Sequence, residues 1–410
     1  MGPTRRPPRI RKERIRNAWI RNATTTGTVA VLCAALAACT SSTADSPPPT
    51  PSYPASTQAQ ASSSSMPNAT PVANACGATE LAKLSVRQKL AQLIVVGVTG
   101  AADAQQIVEN EEIGGIFVGS WTDKAILTSG AAARISQNSS IPLMVTVDQE
   151  GGRVSRLSAL GIDHASPREL AQTKTPEQVR AIAADVGRKL KRLGVTVDFA
   201  PVADVSDESD NEVIGDRSFS NDPAVVTEYA GAYAAGLADA GITPVYKHFP
   251  GHGHGSGDSH LGVVTVPSLA ELQDSDLVPF RTLLRDPGTA GAMVGHLIVP
   301  GLTKGLPASI SRPAIQMLRT GVGYDGPRFD GVIYSDDLSG MAAISAQYPI
   351  EQAVEKFILA GGDVALWLST DRVASVLDNL ERAVSAGRLA PARLDAKVVR
   401  ILRSKGVVNC

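Results

Sequence analysis

The amino-acid sequence predicts an α/β fold, a single (β/α)8 barrel of the TIM type. From about residue 76 to the end, short apolar runs rich in β-branched residues alternate with longer amphipathic or alanine-rich stretches. The apolar runs are continuous, which is typical of strands buried on both faces of a parallel sheet. Eight such units in about 330 residues fit one barrel with some long loops. A doubly wound open sheet is the structural alternative.

The predicted strands are the apolar runs, which turn-forming or polar residues separate. They span residues 92–98, 114–119, 142–148, 194–202, 243–249, 290–297, 331–336 and 361–367. The first run has no clear preceding partner, which allows an irregular start to the barrel. Helical patterns lie between the runs, and several begin at a capping residue such as Thr175 or Asp222. These predicted helices span residues 175–193, 222–240, 268–284, 350–360, 370–386 and 391–404.

The first 38 residues resemble a bacterial export signal. Eight Lys or Arg side chains stand against one acidic side chain, and an apolar stretch follows over residues 24–38. That stretch is shorter than the roughly 20 residues that span a bilayer. It leads into LAAC at residues 36–39, which resembles a lipobox, where the signal peptide is removed and Cys39 receives a lipid. The alternative is an ordinary cleaved signal. We expect a lipoprotein anchored to the cell membrane on its extracytoplasmic side.

Residues 39–75 are mostly Ser, Thr, Pro, Ala and Gln with almost no charge. Such a segment buries too little apolar surface to offset its ordering entropy, so we predict a disordered tether. The folded domain is predicted to span residues 76–410. Cys76 and Cys410 bracket it, and we expect them to form a disulfide because barrel termini lie close together and the compartment is oxidising. The alternative is two free thiols.

The net charge of residues 39–410 indicates which classes of partner the chain can bind. Residues 39–410 carry thirty-one basic and thirty-nine acidic side chains. Nucleic acid as a partner would favour a basic face, so we expect no nucleic-acid binding. We expect the domain to be a monomer.

Polar side chains collect at the carboxyl ends of the predicted strands, where parallel α/β folds place their active groups. A buried structural role would leave several charged groups inside a barrel without obvious partners, which is costly. The side chains at these strand ends are Asp148, Asp204, Lys247, His248, His296, Asp336 and Asp337.

The loop after the fifth predicted strand is rich in glycine and histidine. It runs over residues 247–260 and suits two chemistries. His252, His254, Asp258 and His260 have the composition of a zinc site. Alternatively, Asp258 orients His260 for acid/base catalysis. The composition of the loop leaves both open.

The same loop carries a resemblance to a known family. KHFPGHG at residues 247–253 and DSH at 258–260 resemble the signature of the β-N-acetylhexosaminidases of glycoside hydrolase family 3, of the NagZ type. Further matches, in chain order, are VDQEGGRVSRL at 147–157, FAPVADV at 199–205, DRSFSNDP at 216–223 and FDGVIYSDDLS at 329–339. The resemblance implies the barrel, a retaining mechanism, no metal and no other cofactor.

Carried over by position, the resemblance assigns roles to single residues. Asp336 resembles the family's nucleophile, with Asp337 as the alternative. His260, assisted by Asp258, resembles the general acid/base. The residues that resemble the family's sugar-holding side chains are Asp148, Arg156, Arg217, Lys247 and His248.

Two further strand-end residues and two departures from the family pattern concern the surroundings of this site. Asp204 and His296 are expected to line the pocket or brace its side chains. The family usually has Asp-Thr where this chain has His254 and Gly255. It often has Met where this chain has Gly340.

The predicted function is that of a retaining exo-β-N-acetylglucosaminidase, which hydrolyses GlcNAc-containing saccharides derived from peptidoglycan during cell-wall turnover or recycling. The nearest alternatives are a family 3 β-glucosidase and a GlcNAc phosphorylase that uses phosphate in place of water. A metal-dependent hydrolase and an inactive sugar-binding lipoprotein are the alternatives from other classes.

Overall fold

The computed structural model describes residues 76–409. The predicted signal peptide at 1–38, the lipidated Cys39 and the tether up to residue 75 lie outside the described residues. Cys410 lies outside them too, so its disulfide with Cys76 stays a prediction. Within the described part of the chain, no helix is long and apolar enough to cross a membrane.

Between residues 76 and 409, eight parallel strands close into a barrel, and each pairs with its neighbours in sequence order. The strands are β1 (Ile94–Gly97), β2 (Gly115–Phe117), β3 (Met144–Val147), β4 (Val197–Asp198), β5 (Thr243–Phe249), β6 (Gly291–Val294), β7 (Ile333–Asp337) and β8 (Val364–Trp367). The (β/α)8 prediction is confirmed, and each strand overlaps its predicted run.

The start of the barrel is regular, unlike the irregular start that the sequence allows. β1 pairs with β8 on one side and with β2 on the other. Irregularity occurs instead in β5 and β7, whose registers shift against a neighbour between Tyr246 and Phe249 and between Tyr334 and Asp337. Register shifts of this kind re-aim side chains and are frequent next to active sites.

Helices surround the barrel and run back between its strands. They are α1 (Ala78–Ala82), α2 (Val86–Ala91), α3 (Ala101–Glu111), α4 (Ala125–Thr128), α5 (Ala131–Asn138), α6 (Pro167–Thr173), α7 (Pro176–Arg192), α8 (Pro223–Asp239), α9 (Leu269–Leu272), α10 (Leu277–Leu283), α11 (Arg312–Thr320), α12 (Ala342–Ser345), α13 (Ile350–Ala360), α14 (Val373–Ser385) and α15 (Pro391–Ser404). Thr175 and Asp222 cap α7 and α8, as the sequence predicts.

One predicted helix is wrong. The stretch 268–284 forms two short helices, α9 and α10, with a turn between them. Pro279 explains the break, because in a continuous helix its ring would clash with the carbonyl group of Ser275. In the structure Pro279 lies in the first turn of α10, where a missing N–H is tolerated. The turn leaves the side chain of Asp276 fully buried.

Aromatic side chains fill the inside of the barrel. The ring of Phe199 stacks on Phe117 at 6.0 Å and meets Tyr334 edge-on at 5.4 Å. The hydroxyl of Tyr334 lies 3.7 Å from the sulfur of Met144. These contacts tie β2, β3 and β7 to the chain that follows β4, so the barrel has a packed core beneath its carboxyl end.

A buried carboxylate joins elements at the opposite, amino end of the barrel. Asp363 precedes β8 and accepts a hydrogen bond from the backbone N–H of Ile333. It also forms ion pairs with Arg319 of α11 and Arg400 of α15. Burial alone would raise the pKa of Asp363, but the two guanidinium groups outweigh it and the pKa lies below its usual value.

Candidate active site

A cavity of about 270 Å³ opens at the carboxyl end of the barrel. All eight residues that the sequence selects for catalysis or sugar binding line it: Asp148, Arg156, Arg217, Lys247, His248, Asp258, His260 and Asp336. They come from the ends of β3, β5 and β7 and from the loops after β3, β4 and β5. Closing the barrel therefore brings together side chains that are up to 188 positions apart in the chain.

Glu150, which the sequence analysis did not select, lies at the centre of the polar side chains. Its carboxylate is 1% exposed. Two hydrogen bonds of 2.8 and 2.9 Å connect it to the guanidinium of Arg217. The ammonium of Lys247 lies 2.6 Å from the same carboxylate and 2.7 Å from Asp148. Two anions and two cations thus form one network at the floor of the cavity.

The contacts within this network stabilise the charged forms of Glu150 and Lys247. Burial opposes ionisation of Glu150, but Arg217 and Lys247 outweigh it and the pKa of Glu150 lies well below its usual value. Burial also opposes the charged form of Lys247, yet Asp148 and Glu150 raise the pKa of Lys247. Each charge is therefore stable only because its partners are present.

His248 is held by a second buried carboxylate. Its Nδ1 lies 2.7 Å from Asp204, which is fully buried and also accepts the backbone N–H groups of His248 and His252. Burial would raise the pKa of Asp204, but the charge and hydrogen bond of His248 bring it to about 2. An ionised Asp204 makes Nδ1 of His248 the donor. Asp204 braces a cavity side chain, while it does not itself line the cavity.

The two aspartates at the end of β7 have different surroundings. Asp336 lines the cavity and accepts the backbone N–H of Asp337. Burial would raise the pKa of Asp336, but the nearby His248, His296 and Lys247 hold it below its usual value. Burial raises the pKa of Asp337, despite three hydrogen bonds from Ser339 and Gly340. The geometry favours Asp336 as the ionised carboxylate that a ligand can reach.

His296 holds the end of β7 in place through hydrogen bonds. Its Nε2 donates to the carbonyl of Asp337 at 2.8 Å, and its Nδ1 lies 2.7 Å from the hydroxyl of Ser309. The ring is 1% exposed and does not line the cavity. Burial lowers the pKa of His296.

The loop after β5 brings an imidazole to the cavity. Nδ1 and the backbone N–H of His260 both donate to Oδ1 of Asp258, at 2.8 and 2.9 Å. The His260 side chain is 63% exposed. The backbone carbonyls of Ser259 and His260 accept hydrogen bonds from Ala343 and Ala342, which follow β7. The segment that carries His260 is thereby attached to the segment that follows Asp336.

The base of this loop is packed tightly. A Cβ atom on Gly253 would lie 1.9 Å from the carbonyl oxygen of Val205, so the loop can approach the chain after β4 only with glycine at that position. Gly251 has φ of +136°, and a Cβ atom at this position would lie 2.3 Å from the Cβ atom of Asp276. His254, a departure from the family pattern, lies 2.9 Å from the carboxylate of Asp276, which raises the pKa of His254.

The four side chains considered as zinc ligands are divided among separate partners. His254 contacts Asp276, His260 contacts Asp258, and Nε2 of His252 lies 3.4 Å from the hydroxyl of Ser259. Among residues 76–409, no group of three or more His, Cys, Asp or Glu side chains is arranged to hold a metal ion.

Several cavity residues were missed from the sequence. Besides Glu150 they are Arg153, Val154, Val213, Ser259 and Met341. His252, which the sequence suggested only as a zinc ligand, lines the cavity too. Glu150 and Arg153 stand in the VDQEGGRVSRL motif, so their position after β3 was the available signal. The guanidinium of Arg153 holds the loop after β4 in place. It forms an ion pair with Asp216 and donates hydrogen bonds to three backbone carbonyls of that loop.

Known proteins resemble this chain along most of its length. The glycosyl hydrolase family 3 N-terminal domain matches residues 85–404. The β-hexosaminidase LpqI of Mycobacterium tuberculosis is 55% identical over 343 residues, which are 83% of this chain and 88% of that protein. The crystal structure of a family 3 glycosyl hydrolase from Mycobacterium smegmatis has 54% identity and a TM-score of 0.78, and the match covers 80% of this chain and 99% of that chain.

A more distant solved structure has the same fold. It is a family 3 β-N-acetylglucosaminidase from Paenibacillus, with 31% identity and a TM-score of 0.70. The match covers 79% of this chain and 62% of that chain.

We predict that Glu150→Gln destabilises the fold by about 3–5 kcal/mol at pH 7, the usual result of removing one partner from a buried ion pair. Because the folded-state pKa of Glu150 is lowered, its contribution is present above the unfolded pKa of about 4.3 and is lost at lower pH. Urea unfolding of both proteins should therefore give a stability difference that narrows below about pH 4. The exposed Glu228→Gln is the matched control, and an equal loss in both variants would contradict the network.

Proposed function

Because the chain belongs to glycosyl hydrolase family 3 and is a glycosidase, we propose that it removes terminal N-acetylglucosamine units by a retaining mechanism, with Asp336 as nucleophile and His260 as general acid/base. One observation carries the proposal. A carboxylate with a lowered pKa and an imidazole that is oriented by a second carboxylate line the same cavity, and their two chain segments are hydrogen-bonded to each other.

In the first step, the ionised Asp336 attacks the anomeric carbon of the sugar. The glycosidic bond breaks as protonated His260 gives its Nε2 proton to the departing oxygen. This leaves a glycosyl ester on Asp336 and a neutral imidazole. In the second step, the neutral His260 takes a proton from a water molecule, whose oxygen attacks the anomeric carbon and releases Asp336.

Asp258 determines which nitrogen of His260 does this chemistry. Because the carboxylate accepts the Nδ1 proton, the proton that is transferred resides on Nε2. Burial opposes the ionised form of Asp258, but its hydrogen bonds to His260 hold the pKa of Asp258 below its usual value. Asp258 therefore stays charged and stabilises the imidazolium that forms in the second step.

The cavity floor supplies the groups that hold the sugar. Asp148 can accept hydrogen bonds from hydroxyl groups, while Lys247, Arg217 and Arg156 donate to them or to the N-acetyl oxygen. His248 is oriented by Asp204 and offers its remaining ring nitrogen to the cavity. These charged partners are fixed in place before a sugar enters, which reduces the ordering cost of binding.

We propose GlcNAc-containing fragments of peptidoglycan as the substrates, and turnover or recycling of the cell wall as the role. Similar proteins support the sugar: one is a β-hexosaminidase and another is a β-N-acetylglucosaminidase. The predicted export signal at residues 1–38 supports this location, because an exported enzyme resides on the side of the membrane that faces the wall.

Phosphate in place of water as the acceptor is the second candidate. Arg156 lines the cavity and has no ion pair with a carboxylate of the described residues. The other cations of the cavity, Arg153, Lys247 and Arg217, are paired with carboxylates. The neutral imidazole formed in the first step would not repel an anion, whereas a carboxylate base would. The product would then be GlcNAc-1-phosphate.

The decisive assay compares two chromogenic substrates, a β-N-acetylglucosaminide and the matching β-glucoside. We expect turnover of the first and little or none of the second. A preference for the glucoside would contradict the proposed sugar. The same reaction in phosphate buffer identifies the acceptor, because GlcNAc-1-phosphate forms only if phosphate attacks the intermediate.

Asp336→Ala should abolish turnover because no glycosyl ester can form. Circular dichroism and the unfolding midpoint should stay close to those of the wild type, since Asp336 accepts only one backbone N–H within the described residues. Asp337→Asn is the comparison for the alternative nucleophile. Full activity of Asp336→Ala, together with loss of activity in Asp337→Asn, would reverse the assignment.

His260→Ala should lower kcat/KM by about 10² to 10⁴ for substrates with poor leaving groups, the usual range for a general acid/base. Substrates with activated leaving groups need less proton transfer in the first step, so we expect a much smaller loss of kcat/KM. Equal losses for both kinds of substrate would remove His260 from the role of acid. Asp258→Asn should shift the pH profile in the same assay, because it removes the charge beside the imidazole.

We also propose that Cys39 carries a lipid that holds the enzyme on the membrane, through a site outside the described residues. A basic stretch, an apolar stretch and the residues LAAC, in that order, support it. In cell fractionation, Cys39→Ala should move the protein from the membrane to the soluble or unprocessed fraction. Cys33→Ala is the matched control, since Cys33 lies within the predicted signal peptide. Membrane retention of processed Cys39→Ala would end this proposal.

A further inference from the structure

A second cavity, of about 280 Å³, lies on the outer side of the barrel between α11, α13 and α15. Gly361, which lines it, directly precedes the turn into β8, so the cavity belongs to the amino end of the barrel and is remote from the candidate active site. The cations that line it are Arg312, Arg319, Arg328, Arg393, Lys397 and Arg400. None of its described lining residues is an Asp or Glu.

Only part of this positive charge is balanced by neighbouring carboxylates. Arg319 and Arg400 form ion pairs with Asp363, and Arg400 also lies 3.8 Å from Asp330. Arg312, Arg328 and Arg393 are exposed, and none has a side-chain hydrogen bond or ion pair with the described residues. Three guanidinium groups therefore remain available at the mouth of the cavity.

Lys397 adds a buried positive charge. The residue is 4% exposed, and its ammonium group contacts the carbonyl oxygen of Gly362. Among residues 76–409 no carboxylate oxygen lies within 4.0 Å of it, so two of its N–H donors have no acceptor. Burial lowers the pKa of Lys397 to about 8, although Asp363 acts in the opposite direction. A buried ammonium without an ionic partner is costly, and a bound anion would offset that cost.

We propose that this cavity binds an oxyanion of the phosphate class, either inorganic phosphate or the phosphate of a monoester. Arginine forks match phosphate oxygens in pairs, and a lysine at the base supplies a point charge. A dianion also suits four uncompensated cations better than a single carboxylate does. Ile315, Ile358, Leu359 and Leu389 line the same cavity and offer an apolar surface to the organic part of a monoester.

This binding site does not depend on the proposed catalytic function. The test is calorimetric titration of the full chain with inorganic phosphate at pH 7 and constant ionic strength. We expect saturable binding that weakens at least tenfold in the double variant Arg312→Gln/Arg393→Gln and in Lys397→Met. The double variant Arg192→Gln/Arg285→Gln removes the same charge from exposed positions elsewhere and should bind like the wild type.

Absence of saturable binding, or equal binding by the Arg312→Gln/Arg393→Gln variant, overturns the proposal, and the latter result would mean that phosphate binds outside this cavity. If Lys397→Met does not fold, the exposed double variant decides alone, with unchanged glycosidase activity as its folding control. A parallel titration with glycerol 3-phosphate separates the two sources, since tighter binding than inorganic phosphate identifies a monoester.

Discussion

The buried carboxylate of Glu150 is the contact on which the candidate site depends. It lies between the ammonium of Lys247 and the guanidinium of Arg217, which reach it from β5 and from the loop after β4. An isolated charge at this depth would be strongly unfavourable, so each member of the network requires the others. Because the members come from β5 and from the loops after β3 and β4, the network can form only when these three strands lie side by side. The charges that we propose to hold the sugar thus also stabilise the fold.

The two side chains proposed to react with the sugar differ in their exposure. Asp336 ends a barrel strand above buried neighbours, while His260 projects from a glycine-rich loop and is largely exposed. Hydrogen bonds from Ala342 and Ala343 join that loop to the chain after Asp336. The proposed nucleophile therefore lies on a barrel strand, and the proposed acid/base lies on a loop that solvent reaches.

The strands and the polar residues at their ends could be predicted from local signals in the sequence, whereas Arg156 and Arg217 were selected only through the resemblance to family 3. Continuous apolar runs determine the strands, and polar residues at the ends of these runs converge once the strands are parallel. The division of 268–284 into two helices required weighing Pro279 against a helical pattern. Glu150 was missed because its importance lies in contacts with Lys247 and Arg217, 97 and 67 positions away. Neither the spacing of motifs nor the composition of the sequence predicts such long-range ion pairs.

The contacts at the base of the loop after β5 determine where this enzyme can diversify. Gly251 and Gly253 are confined by Asp276 and by the carbonyl of Val205, and His254 is joined to Asp276. Gly257 and Gly262, by contrast, have open space around them. Insertions or grafted sequences are therefore better tolerated at Gly257 or Gly262, on the stretch that carries Asp258 and the proposed acid/base His260. Substrate range can change there over evolution, or by engineering, while the attachment of the loop to the barrel stays the same.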